Sequence, residues 1–188
     1  VTTPPAPGAS KARWRRWARA VRRGLDLDGL GERIRAGLLR WPRLEGTVLL
    51  YLPLPDEIDL TPLRDAGLPC RFVVTRTPEE GVLTVHELGG ELERHRHGFL
   101  QPTADAPRVE PAELDVLLLP GLAYDRRGWR LGRGAGYFDA FLDCVPERAL
   151  RVGIAPRAVI VDRLPIEAHD RRVGFLASEE GVETVDEP

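Results

Sequence analysis

The stretch LLLPGLAYDRRGWRLGRGAGYFDAFL, residues 117–142, decides how this chain folds. Its head, Val116-Leu117-Leu118-Leu119, is an uninterrupted apolar run closed by Pro120-Gly121, the pattern of a buried strand ending in a turn. A loop follows in which Arg126, Arg127, Arg130 and Arg133 alternate with Gly128, Gly132, Gly134 and Gly136. From Tyr137 to Leu142 the apolar spacing becomes that of a helix start. Strand, basic glycine loop and helix in succession are suited to phosphate. Glycines let backbone N–H groups approach the anion, the helix start adds partial positive charge, and guanidinium groups neutralise the rest. No Walker A lysine with serine or threonine follows, and Gly132, Gly134 and Gly136 recur at every second residue, which is not the dinucleotide fingerprint. The competing reading is a surface loop whose arginines only keep it hydrated. Its direct succession from a buried strand favours phosphate.

Working outward, the apolar runs repeat. Residues 47–52 and 68–75 read as buried strands, 82–86 alternates as an edge, and 150–155 and 173–177 read as two more. Helices are expected from Lys11, capped by Ser10, and over 30–40, with a short one at Thr61-Pro62-Leu63. Strands alternating with helices predict one α/β domain over residues 11–188 with a mainly parallel sheet flanked by helices. Residues 1–10, rich in proline and small residues, are expected to be a disordered tail. In the first helix Trp14, Trp17, Ala18, Val21 and Leu25 make an apolar face, while Lys11 and Arg15, four apart, share a side from which they can reach a phosphate site. Asp56-Glu57-Ile58-Asp59, just past a strand end, can cap the next helix or meet a ligand in the crevice. His95 and His97 have no companions at metal-ligand spacing and are expected to be solvated.

Composition excludes several classes. With 188 residues, 43% apolar and 30% charged, the chain has the balance of an ordinary globular domain, and its net charge of −2 gives no overall attraction to nucleic acid or anionic membrane. No apolar run reaches spanning length and no signal-peptide core precedes Lys11. Cys70 and Cys144 are expected to be reduced, buried thiols of a cytoplasmic protein.

At Pro120-Gly121-Leu122-Ala123-Tyr124-Asp125 followed by Arg130-Leu131-Gly132-Arg133-Gly134-x-Gly136-Tyr137-Phe138-Asp139, the sequence resembles the signature of the 5-formyltetrahydrofolate cyclo-ligase (methenyltetrahydrofolate synthetase) family. Lys11-x-x-x-Arg15, Tyr51 with 56–59, 152–155, and Leu164-Pro165-Ile166-x-x-His169-Asp170 are similar to further blocks of that family. The resemblance implies the NagB/RpiA/CoA-transferase-like fold, a monomer, and ATP- and magnesium-dependent cyclisation of 5-formyltetrahydrofolate. The alternative is a nucleotide-binding relative that has lost cyclisation. It also implies roles. Lys11, Arg15, Arg130, Gly132, Arg133, Gly134, Gly136, Tyr137 and Phe138 would contact ATP, and Arg133 and Tyr137 would act in catalysis. Leu52, Glu57, Arg133, Gly134, Gly136 and Tyr137 would meet the folate, and Asp139 would hold Mg2+. The sequence departs from the family at Ala135, Phe138, Pro156, Val159 and Gly174. At the last of these an aspartate commonly serves as a second magnesium ligand.

Overall fold

The structure is a computed structural model and describes residues 3–96 and 98–186. His97 lies outside the described residues. In chain order the elements are α1 (Lys11–Arg22), α2 (Leu27–Leu39), β1 (Gly46–Leu50), a 3-10 turn (Thr61–Asp65), β2 (Cys70–Arg76), β3 (Thr84–Glu87), β4 (Leu92–Arg94), β5 (Leu100–Pro102) and β6 (Arg108–Val109). They continue with β7 (Val116–Pro120), β8 (Ala123–Asp125), β9 (Arg130–Leu131), α3 (Tyr137–Leu142), β10 (Leu150–Ile154), β11 (Ile160–Val161), β12 (Phe175–Ser178) and β13 (Gly181–Thr184).

The main sheet has eight strands in the order β13-β12-β10-β7-β1-β2-β3-β6. Neighbouring strands from β12 to β2 pair in parallel, whereas β13, β3 and β6 are antiparallel edges. The parallel strands are apolar on both sides because both faces are covered. Leu49, Val73, Leu117 and Leu119 pack with Trp14, Trp17 and Ala18 of α1 and Phe141 and Leu142 of α3. Val48, Leu50, Phe72, Val116 and Leu118 point the other way, onto Leu30, Ile34 and Leu38 of α2. That alternation is the two-residue period of a strand divided between two cores.

Several boundaries differ from the sequence reading. Helix α2 begins at Leu27, because the Asp26 side chain accepts from the Gly29 N–H at 3.1 Å and caps it there. Strand β13 carries too little apolar pattern to be seen. The segment expected to be one basic loop is itself folded: β8 and β9 pair antiparallel, and β11 lies parallel to β8. The buried Asp125 makes that hairpin, accepting from the N–H groups of Arg127 (3.1 Å), Trp129 (3.0 Å) and Leu164 (3.0 Å) and from the Arg127 guanidinium at 2.8 Å. Cys144 is exposed and Cys70 half-buried, so the two thiols are not both core groups. His95 is half-buried and stacks on Phe99, ring centres 4.4 Å apart, rather than standing free in water. No helix among the described residues is long and apolar enough to cross a membrane.

Candidate active site

Strand order reverses direction between β1 and β7. The chain leaves β1 for β2 on one side and later enters β7 on the other, and loops diverging from such neighbours open a crevice at their carboxyl ends. A cavity of about 580 Å3 occupies that position. Its floor is Pro120 at the end of β7 and Gly121 just beyond it, Tyr51, Leu52, Leu54 and Glu57 beyond β1, and Thr75 and Thr77 at the end of β2. Helix α1 brings Lys11 and Arg15 to it, and the segment from Arg130 to Asp139 forms the facing wall. Every residue of this chain to which the family resemblance gives a role toward ATP, folate or Mg2+ therefore borders one cavity.

The loop geometry follows from close approach. Gly134 has φ +110°, and a side chain there would also meet the Arg15 guanidinium, 3.3 Å from where its Cβ would stand. At Gly132 a Cβ would lie 3.0 Å from the Arg130 guanidinium. These glycines make room for arginines packed against the backbone. Arg15 Nε donates to the Gly132 carbonyl at 3.0 Å, joining α1 to the loop. Helix α3 runs only from Tyr137 to Leu142, so the partial charge at its start is small and side-chain cations supply most of the positive field.

Those cations are all engaged. Lys11 Nζ lies 2.8 and 2.7 Å from the Asp170 oxygens and 3.2 Å from Glu167. The Arg130 guanidinium donates to Asp139 Oδ1 at 2.7 Å and sits 5.6 Å over the Phe138 ring. Arg133 donates through Nε to Glu57 at 3.0 Å and through Nη2 to Asp56. Burial works against the Arg133 charge, but the two carboxylates outweigh it and hold the guanidinium above its ordinary pKa. Glu57 is fixed from its other oxygen by the Leu54 N–H at 3.0 Å, and Tyr51 ties the same loop by donating to the Ile58 carbonyl at 2.7 Å. Burial first, and then the Glu57 charge, raise the Tyr51 phenol well above its usual range, so it stays a donor. Such a site exchanges internal ion pairs for ligand charges when an anion enters.

Arg126 and Arg127, expected in the phosphate loop, are turned away, paired with Asp162 and Asp125. Asp59 does not cap the 3-10 turn, which follows Leu60 without a side-chain cap; its Oδ1 accepts from the Thr61 N–H at 2.8 Å and the Thr61 hydroxyl at 2.7 Å, while Asp56 and Glu57 face Arg133. Gly174 does not border this cavity. It lines a separate depression with Asp143, Arg151 and Arg171, and its N–H donates to the Arg151 carbonyl near the start of β10. A carboxylate at that position would not share the cavity wall with Asp139.

The sequence reading missed the apolar side of the cavity. Leu83, Phe99 and Leu100 line it, the last two from the β4–β5 hairpin within a stretch that reads as polar loop. Glu167 and His169 also line it. No local signal marks Phe99 and Leu100, because the packing of a hairpin beside a cavity is a tertiary arrangement, whereas His169 lies in the block 164–170 that is similar to the family.

For a metal ion, the described residues contain no group of three or more histidine, cysteine or carboxylate side chains able to hold one. Asp139 commits one oxygen to Arg130, and its second takes no hydrogen bond from the described residues. One available carboxylate beside cations suited to phosphate fits magnesium that keeps most of its water and takes its other ligands from a phosphate chain. It does not fit a closed protein cage.

The family model for the 5-formyltetrahydrofolate cyclo-ligase family matches residues 32–177. The 5-formyltetrahydrofolate cyclo-ligase of Mycolicibacterium smegmatis is 31% identical over 76% of this chain and 78% of its own length. The enzyme of that name from Escherichia coli is 29% identical over 75% of this chain and 83% of its own. Among solved structures, the NMR structure of Aquifex aeolicus 5,10-methenyltetrahydrofolate synthetase superposes with a TM-score of 0.82 at 29% identity, covering 95% of this chain and 94% of that one. The Mycoplasma pneumoniae synthetase, at 18% identity and a TM-score of 0.74, shares the fold over 91% of this chain.

Proposed function

This chain belongs to the 5-formyltetrahydrofolate cyclo-ligase family, and from that premise we propose that it is an active cyclo-ligase, converting 5-formyltetrahydrofolate and ATP to 5,10-methenyltetrahydrofolate, ADP and phosphate. One observation carries the reading. Lys11, Arg15, Arg130 and Arg133 line the same cavity as Glu57 and Asp139, together with the apolar side chains of Leu83, Phe99 and Leu100. Cations suit a triphosphate, a fixed carboxylate suits the donor-rich pterin, and the apolar wall suits an aromatic ring.

The formyl oxygen of the folate leaves poorly as water. Taking the γ-phosphoryl group converts it to a phosphate ester as ADP departs. N10 then attacks the formyl carbon and gives up its proton to solvent, the C–O bond breaks with loss of phosphate, and the five-membered ring closes. In this proposal Lys11, Arg15 and Arg130 hold the phosphate chain, and Arg133 follows the transferring group, where charge shifts most. Glu57 anchors the pterin with Leu52 beside it, while Gly134 and Gly136 let both substrates near the backbone and Tyr137 closes the mouth. Asp139 would hold magnesium, which when bound supplies positive charge between phosphate oxygens.

The test is direct. Purified protein with Mg2+, ATP and 5-formyltetrahydrofolate should generate the methenyl product's absorbance and one ADP per product. Nucleotide binding without that absorbance would favour a relative that has lost cyclisation, and binding of neither substrate would overturn the proposal.

A further inference from the structure

Arg22, in the last turn of α1, lies outside the cavity wall and is 2% exposed. Its guanidinium meets main-chain carbonyls from two different loops. Nε donates to Leu122 at 3.0 Å, Nη2 to Gly121 at 2.5 Å and Nη1 to Asp56 at 2.9 Å. Gly121 is on the cavity floor beyond β7, and Asp56 immediately precedes Glu57 in the loop beyond β1. On a helix of 3.6 residues per turn, Lys11, Arg15 and Arg22 fall within about 40° of one another. One stripe of α1 thus presents two cations to the cavity and, at its far end, a three-way donor to the loops beneath it.

A buried guanidinium costs much desolvation, and apolar packing would close the same space without it. What the group adds is direction: a rigid fork satisfying three carbonyls at fixed angles, which neither lysine nor an apolar residue can do. Among the described residues no carboxylate hydrogen-bonds to Arg22, so the main chain of the two loops is what it holds.

We propose that Arg22 is a positioning residue for the folate half of the site. It sets the Glu57 loop against the β7 floor and against the helix that carries Lys11 and Arg15. It touches neither substrate and acts through Glu57, so this rests on the reading of Glu57 as the pterin anchor. Lys11, Arg15 and Arg130, which hold the phosphate chain in that reading, have partners outside the Glu57 loop, and Arg133 links the nucleotide half to the clamped loop, so the clamp bears first on the folate half.

Arg22→Lys keeps the charge and loses the fork, and Arg23→Lys, at an exposed neighbour, is the control. In Arg22→Lys the KM for 5-formyltetrahydrofolate should rise about tenfold or more with the KM for ATP within about threefold of wild type, since misplacement of an anchor is read in the substrate it holds. Amide hydrogen exchange should quicken in residues 54–58 and 121–123 and stay unchanged in β1, β7 and β10. Millimolar guanidinium added to Arg22→Ala should lower the folate KM again. A folate KM and exchange pattern equal to wild type, a lowered melting temperature with unchanged KM values, or equal rises for both substrates would each overturn the proposal. Should Arg22→Lys fail to fold, Arg22→Gln carries the same readouts. If the wild-type chain binds neither substrate, the functional reading fails first, and the exchange comparison still decides whether Arg22 holds the two loops.

Discussion

At Arg133 the guanidinium already holds Asp56 and Glu57, so a phosphate arriving there exchanges partners rather than meeting a free cation. Arg133→Ala should weaken nucleotide binding by about 1.5–3 kcal/mol, the range for a hydrogen bond to a charged group, as read by titration calorimetry. Unchanged affinity would remove Arg133 from the nucleotide site. Asp139 and Gly174 separate in the same way. Asp139→Asn should raise the magnesium needed for half-maximal turnover. Gly174→Asp should leave it unchanged, because that position lines a different depression. A lower requirement in Gly174→Asp would return this position to the metal. Asp125 is the residue on which the basic segment folds, and Asp125→Ala strips three N–H groups and the Arg127 side chain of one shared acceptor. A loss of about 3–5 kcal/mol is expected in denaturant unfolding, as for breaking other buried charged networks.

Among the elements, α1 links the core to the site. Trp14 is 2% exposed and meets Trp17 edge-on at 5.4 Å, so Trp14→Ala should cost about 3–5 kcal/mol in unfolding experiments. Because the same helix carries Lys11 and Arg15, nucleotide affinity should fall with it. Strand β3 carries a different dependence. His86 is fully buried, with Nδ1 2.8 Å from the Ala106 carbonyl and Nε2 2.8 Å from Thr84 Oγ1. Burial pulls its pKa below the ordinary value, Arg108 and Arg76 add to that, and the Ala106 carbonyl opposes it. The unfolded chain therefore takes up this proton at a higher pH than the folded one. The contribution of His86 to stability is complete above the ordinary histidine value of about 6.5 and is lost as pH falls through the lowered value. The urea midpoint should drop between about pH 7.5 and 5.5, and drop less in His86→Gln. Equal slopes would mean that other groups govern the acid limb.

For the whole molecule, the cavity draws on α1, the loops after β1 and β7, the end of β2, the β4–β5 hairpin and the turn at 167–170, so a ligand seated there ties distant parts of the chain together. Magnesium-ATP at about one hundred times its dissociation constant should add about 2.7 kcal/mol to stability. Scanning fluorimetry should show a raised melting temperature with either substrate, and none with either would contradict the cavity's assignment. Much of this architecture is local in origin. The apolar runs around Val48, Val73, Leu117 and Val152 specify buried parallel strands because each must cover two faces. The glycines from Gly132 to Gly136 let the loop pack closely on arginines, because a Cβ at Gly132 or Gly134 would crowd the guanidinium of Arg130 or Arg15. What remained hidden depends on which groups meet after folding. Arg126 and Arg127 look like Arg130 and Arg133 in the sequence, yet Asp162 and Asp125 hold them away from the cavity. Phe99 and Leu100 become a cavity wall only when their hairpin crosses β2. Arg22 reads as one more surface charge of a basic helix until three carbonyls from two loops surround it. Sequence by itself determined the mainly parallel core of the sheet and the family, since these rest on spacing and residue type along single segments. Tertiary structure alone decided which charges face the cavity, since a charge is directed by partners that lie far along the chain and close in space.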